Sequence, residues 1–318
     1  MEDLSFLAPS GRVADWRLVV TFGAAVDAGL IDALPGTADE LAARLELNPH
    51  SVAVLFDALG AWDVVRRGSD GRYVRGDAAP DSDDAVTLWH HARAVAGWTR
   101  LGEALRDPRR AAEQRRPVSP DRFQSALAVG ARRRAAPLVD AILARAGDVH
   151  TMLDLGGGHG EYALEFARRG IEAVLQDREE MIDAARRRGV VSGHVELFAG
   201  DFFEVLPARA FNLVLIAGVT HTFDGERVRL LLERARSVVR RGGALAIVTM
   251  LRRRHETATL FAVQMLVNGS GGDTHGEDEY RLWLSDAGYQ DVDVYDVPET
   301  RSQSVILARW HGDAATGQ

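Results

Sequence analysis

The chain has 318 residues, with 46 acidic and 38 basic side chains and a formal net charge of −8. That length is comfortable for two domains, and a content of 46% hydrophobic and 26% charged residues argues against wholesale disorder. The negative balance makes a poor general polyanion binder. All 38 basic residues are arginine, which excludes lysine Schiff bases and Walker-type phosphate lysines. With no cysteine, thiol nucleophiles, disulfides and thiolate metal sites are excluded too. The start of the chain lacks a basic-then-apolar signal pattern, and no apolar run approaches the ~20 residues of a membrane span. The expected address is the cytoplasm.

Residues 12 to 60 read as helices. Leu18, Val19, Phe22, Val26, Leu30 and Ile31 recur at helical spacing, punctuated by Gly29 and Pro35-Gly36. Thr37 with Glu40 makes a capping-box pattern before Leu41, Ala42 and Leu45. Asn48 opens a helix carrying Val52, Leu55, Phe56 and Leu59. Val64–Arg67, Gly68–Gly71 and Arg72–Val74 then read as strand, tight turn and strand. Two short helices and a hairpin make a winged-helix unit, expected over residues 1–100. Its second helix, Pro49–Gly60, carries one histidine and no arginine, and Asp57 has the wrong sign for a phosphate. The unit therefore reads as a packing or dimerisation module, with no nucleic-acid partner.

Residues 85–147 look helical, and 101–147 is expected to be a helical linker that caps the substrate. The charged break from Arg106 to Pro120, with Arg109, Arg110, Arg115 and Arg116, reads as a solvated loop. From about residue 148 to 318 the grammar changes. Apolar β-type runs at 151–155, 171–176, 195–198, 211–217 and 244–250 alternate with helices. That alternation predicts an α/β fold, a doubly wound, Rossmann-like parallel sheet. Val292–Tyr295 and Ser304–Trp310 would close it as a C-terminal antiparallel hairpin.

The chemistry sits at the first of these strands. Thr151-Met152-Leu153 runs into Asp154-Leu155-Gly156-Gly157-Gly158-His159-Gly160, followed by a helix with Tyr162, Ala163, Phe166 and Ala167 on one face. Glycines let the backbone turn tightly and approach a ligand at a helix amino end. The second strand ends at Asp177, where an acid reaches ribose hydroxyls. The third ends at Gly200-Asp201-Phe202-Phe203, a carboxylate beside rings that suits an adenine. Asp154, Asp177 and Asp201 thus share one carboxyl edge of the sheet.

These residues resemble the class I S-adenosylmethionine-dependent methyltransferases, and within them the small-molecule O-methyltransferases of plant phenolic and bacterial polyketide pathways. The resemblance is carried by Asp154–Gly160, Gly200-Asp-Phe-Phe-Glu204, His221-Thr-Phe-Asp-Gly-Glu226, Arg241-Gly-Gly243, Gly271-Gly272, the Glu277/Tyr280 pair and Ala287-Gly288-Tyr289. It implies that S-adenosyl-L-methionine is the cofactor. Gly156, Gly158 and Gly160 would cradle its methionine part, with Asp154 the acid before the loop. Asp177 would hold the ribose, and Asp201 with Phe202 the adenine. His221 would be the catalytic base toward a small, aromatic secondary metabolite. The resemblance further implies a homodimer through the N-terminal unit, with helices near residues 12–30 swapped into the partner's pocket. The acceptor pocket would be walled by Met265, Phe261, Trp98, Phe123 and Leu127.

Two departures from the family pattern stand out. Plant members flank the base with two glutamates; the corresponding positions here are Thr249 and Thr274. A carboxylate would orient an imidazole and stabilise its charged form, which a hydroxyl cannot do. Glu277 or Asp224 could substitute. Three readings follow: O-methylation of an acceptor acidic enough to need little base help, C-methylation of an electron-rich ring or enolisable keto acid, or a cofactor pocket kept for other chemistry. His221 and His275 with Asp273 or Glu277 would also make a two-histidine, one-carboxylate set. Such histidine pairs are commonplace, and no metal is expected.

Overall fold

A computed structural model describes residues 16–113, 118–190, 193–269, 271–300 and 302–312. Residues 12–15, 115 and 116, named above, lie outside them. The chain divides into two compact units, residues 1–99 and 100–318.

The first unit runs α1 (Trp16–Asp27), α2 (Leu30–Ala33), α3 (Ala38–Leu45), α4 (Pro49–Gly60), β1 (Val65–Arg67), β2 (Tyr73–Arg75) and α5 (Ser82–Trp98). Thr37 accepts from the Glu40 amide at 3.2 Å while Glu40 accepts from the Thr37 amide at 3.0 Å, so α3 begins where the capping box puts it. Asn48 caps α4 by accepting from the Ser51 amide. That helix buries Val52, Phe56 and Leu59, and the Phe56 ring lies 4.7 Å from Tyr73 on the antiparallel β1–β2 hairpin. Gly23 lets α1 approach α5 closely, since a Cβ there would lie 2.2 Å from that of Ala92.

The second unit runs α6 (Leu101–Ala104), α7 (Pro108–Glu113), α8 (Pro120–Ala146), β3 (Thr151–Leu155), α9 (Glu161–Arg168), β4 (Glu172–Asp177), α10 (Glu179–Arg187), β5 (Val195–Ala199), β6 (Phe211–Ala217), α11 (Gly225–Arg236), β7 (Val239–Thr249), α12 (Glu256–Asn268), α13 (Glu277–Asp286), β8 (Gln290–Asp296) and β9 (Ser304–Arg309). The sheet order is β5-β4-β3-β6-β7-β9-β8, with β9 alone running against the other strands. Buried side chains of α8, α9 and α10 form one face of the core and those of α11 and α13 the other. Strands buried on both faces must be apolar throughout, which explains the continuous runs in the sequence.

The charged stretch after Arg106 corrects one expectation. Instead of an open loop, it contains α7. Pro108 supplies a preset first-turn residue, and Asp107 accepts from the Arg109 amide at 3.0 Å. Both α6 and α7 pack on α12.

Candidate active site

The strand order reverses at β3, with β4 and β5 on one side and β6 and β7 on the other. A crevice opens at the carboxyl ends of strands flanking such a point. The loop Gly156–Gly160 lies there. The Gly156 and Gly157 amides both reach the Gln176 carbonyl, at 2.8 and 3.3 Å, and the Gly160 amide donates to Gly157 O at 2.8 Å. Gly156 takes a φ of 76°. A Cβ there would lie 2.7 Å from Val219 Cγ2 and 3.4 Å from Phe202 Cε1, so only glycine lets the Val219 side chain and the Phe202 ring come this close to the loop.

Three acids answer the loop differently. Asp154 is fully buried beneath it, and a Cβ on Gly157 would sit 2.6 Å from its carboxyl carbon. Neither Asp154 oxygen makes a full hydrogen bond in the protein. Burial pushes its pKa up to about 7; the Ala163 amide offsets this in part, and the charge of Asp177 adds to it. Asp177 closes the end of β4. It accepts from the Gly158 amide at 2.9 Å and from the Arg178 amide at 2.8 Å. Burial raises its pKa too, against those two backbone bonds. Asp201, after β5, accepts from the Phe203 amide at 2.8 Å. Phe202 is buried beside it, 4.9 Å from the Phe203 ring and edge-on to Phe223 at 6.1 Å.

Asp154 supports a pH prediction for the cofactor-free protein. A carboxyl whose folded pKa exceeds its unfolded value binds more protons when folded, so it subtracts stability as pH rises from about 4 to about 7. The stability of Asp154→Asn relative to the wild type should therefore grow by roughly 2–4 kcal/mol between pH 4 and pH 8. Denaturant unfolding across that range reads it. A difference independent of pH would remove Asp154 as the titrating group.

His221 stands on a 3-10 turn, Thr220–Thr222, just past β6. Its Nδ1 is buried with no hydrogen-bond partner. The Phe261 ring of α12 meets the imidazole edge-on at 4.9 Å. Burial, with the charge of His275 adding to it, pulls its pKa down to about 4. Val219, which packs on Gly156, is two residues before His221, so the turn starts against the glycine loop.

The expected support for this histidine is arranged otherwise. Tyr280 donates to Thr220 Oγ1 at 2.7 Å, which pairs with Thr249 Oγ1 at 3.3 Å. Thr274 donates to the Ala258 carbonyl. Neither Thr249 nor Thr274 therefore orients the imidazole; the hydroxyls hold the turn and α12 instead. Asp224 caps α11 through the Arg227 amide, and Glu277 pairs with Arg254 and Arg281. His275 directs Nε2 to the Phe223 carbonyl at 3.0 Å. Among the described residues no three histidine, aspartate or glutamate side chains are grouped to hold a metal.

Met265 is buried and Phe261 partly buried, four residues apart on α12. Phe123 and Leu127 lie four apart on α8, and Trp98 ends α5 in the first unit. Sequence reasoning passed over Gln124. It is buried, donates to Met181 Sδ at 3.0 Å, and leaves its Oε1 without a partner. A Cβ on Gly158 would lie 2.8 Å from that oxygen. The clue was legible: Gln124 interrupts an apolar helical stripe continued by Ala128, Ala131, Ala135 and Leu138.

A mostly parallel sheet with a glycine cradle at its switch point and an acid at the next strand end is the arrangement expected of a class I S-adenosylmethionine-dependent methyltransferase. Residues 137–290 match the O-methyltransferase domain family. The chain is 25% identical over 280 residues to the tetracenomycin polyketide synthesis 8-O-methyl transferase of Streptomyces glaucescens, covering 80% of this chain and 81% of that protein. It is 30% identical over 148 residues to acetylserotonin O-methyltransferase of Bos taurus, covering 44% of this chain and 42% of that one. The fold matches that of human N-acetylserotonin methyltransferase, solved in complex with SAM, with a TM-score of 0.72 at 22% identity, over 98% of this chain and 99% of that one. The positive-φ glycine loop and the Asp177 carboxylate fastened to it fit this cofactor. When bound, it supplies a methyl group made electrophilic by a sulfonium. Among the described residues no helix is long and apolar enough to cross a membrane.

Proposed function

We propose that this O-methyltransferase acts on a ring hydroxyl of a small aromatic secondary metabolite, as a cytoplasmic homodimer, with His221 at the acceptor oxygen. The observation that carries the reading is the junction of Gly156 with Val219, which ties the cofactor loop to the turn bearing His221. In this reading the Gly156–Gly160 loop, with Asp154 beneath it, holds the methionine part of the cofactor. Asp177 accepts from the ribose hydroxyls, and Asp201 and Phe202 take the adenine. The protein's work is then alignment: it brings the acceptor oxygen in line with the methyl group and excludes water. Phe261, Met265, Phe123 and Leu127 are the apolar walls assigned to the acceptor. The relative that acts in tetracenomycin polyketide synthesis supports a polyketide acceptor.

Winged-helix packing supports the dimer. On α1, Trp16 is 64% and Val20 38% exposed, four residues apart on one face. Incubation with 13C-methyl S-adenosylmethionine and a panel of hydroxylated naphthoates and anthraquinones tests the activity. An aryl methoxy carbon signal in the product is expected, and label on ring carbon alone would overturn the reading. Sedimentation velocity at micromolar concentration should give twice the mass of one chain; a monomer would remove the dimer.

A further inference from the structure

We propose that the acceptor hydroxyl reaches this site already ionised, and that His221 meets the resulting oxyanion as a hydrogen-bond donor instead of removing its proton. The proposal rests on the methyl-transfer reading above and narrows its substrate class. The acceptors are hydroxyls acidified by conjugation to a carbonyl, as in quinones with the hydroxyl on the quinone ring and para-acyl phenols bearing further electron-withdrawing groups, with pKa values near or below neutrality.

The surroundings of His221 carry this argument. A general base must hold the proton it takes, and the imidazolium needs an acceptor or a counter-charge to do so. Nδ1 is enclosed without a partner, so charging the ring would bury an N–H with nothing to receive it. One flank of the ring is the Phe261 edge. The three acids that the sequence offers beside His221 are engaged elsewhere. Asp224 caps α11, Asp273 pairs with Arg252, and Glu277 pairs with Arg254 and Arg281. Thr249 accepts from the Thr220 hydroxyl, and Thr274 donates to the Ala258 carbonyl. The titratable group whose charge does reach His221 is His275, itself a cation when protonated.

Burial and His275 together hold the ring down to about 4. Proton transfer to it from an ordinary phenol, with a pKa of ~10, would be unfavourable by about six orders of magnitude. An orphaned donor is rarer in proteins than an orphaned acceptor, so the neutral ring keeps its proton on Nε2. That N–H can hold an aryl oxyanion in place. The reaction then balances without a base: a lone pair on the oxyanion forms the C–O bond while the C–S bond breaks with its pair left on sulfur. The sulfonium becomes a neutral thioether, and no proton remains to be moved.

The test pairs kinetics with spectroscopy on the full chain. kcat/KM is measured against pH for a series of hydroxynaphthoquinones and acyl phenols of graded acidity. The expected inflection lies at each acceptor's own pKa and moves with it. His221→Asn, which keeps a donor and cannot take a proton, should lower kcat/KM by about tenfold, the order of one hydrogen bond. An inflection fixed at one pH across the series, with a loss of 10²-fold or more in that variant, would establish a base and overturn the proposal. The 15N shifts of His221, with S-adenosylhomocysteine and an acceptor bound, should report a neutral Nε2–H ring from pH 8 down to pH 5. Protonation of the ring on acceptor binding would overturn it equally. No transfer to any acceptor oxygen would instead sink the methyl-transfer reading and this inference together.

Discussion

Gly160→Ala should lower the stability of the second unit by about 2–5 kcal/mol and abolish measurable cofactor binding. Gly160 holds the left-handed conformation, with φ 76°, at the residue before α9. An L-residue there costs about 1–2 kcal/mol from its Cβ alone. The added methyl would also lie 2.4 Å from Val190 Cγ1 and 3.0 Å from Leu175 Cδ1, both in the core beneath the loop. Forcing a methyl into packed interior adds about 1–3 kcal/mol. At roughly 2–4 °C per kcal/mol for a domain of this size, the thermal midpoint should fall by roughly 5–15 °C. Gly170→Ala is the matched control. Its φ is 77°, but nothing lies within 4 Å of the new Cβ, so it isolates the conformational cost. If the two variants melted together and bound S-adenosylhomocysteine alike, the close packing under the loop would not be what demands glycine.

That contrast also separates what the sequence discloses from what it hides. The strands were readable because a strand buried on both faces must be apolar at every position, and the loop because only glycine supplies three positive φ values, at 156, 158 and 160, so close together. The caps at Thr37 and Asn48 were readable because their partners are three residues away in the chain. Features made by distant residues were not. The surroundings of His221 depend on where α12 and Gly272 come to rest, since Phe261 meets its ring and a Cβ on Gly272 would meet its carbonyl oxygen. Thr249 and Thr274 look like replacements for supporting acids until the fold commits their hydroxyls to Thr220 and Ala258. The helix α7 was hidden by the charges around it, although Asp107-Pro108 is a helix start. Asp154 shows the same limit: its place in the motif marks it as an acid near the cofactor, while its complete burial, with no full hydrogen bond, is a property of packing.

Asp177→Ala should weaken S-adenosylhomocysteine binding by about 10²- to 10³-fold with little loss of fold. In the proposed reading one carboxylate serves both protein and ligand. It fastens the loop to the end of β4 through the Gly158 amide and caps the turn into α10 through the Arg178 amide. The ribose hydroxyls assigned to it would add hydrogen bonds to a charged acceptor, each worth about 1.5–3 kcal/mol. Alanine removes the loop's tether and the ribose acceptor together. Asparagine separates them: it keeps the shape and one acceptor but must turn an NH2 toward one of the two backbone donors or toward the ribose. Its affinity should fall by about tenfold, between the alanine variant and the wild type. Because burial raises the Asp177 pKa, wild-type binding should also weaken as the pH falls toward the carboxylate range, a dependence that the asparagine variant lacks. Titration calorimetry at pH 8 and pH 5 reads all of these. Unchanged affinity in Asp177→Ala would take the ribose away from this acid, and unchanged affinity in Asp201→Ala as well would move the cofactor off this edge of the sheet.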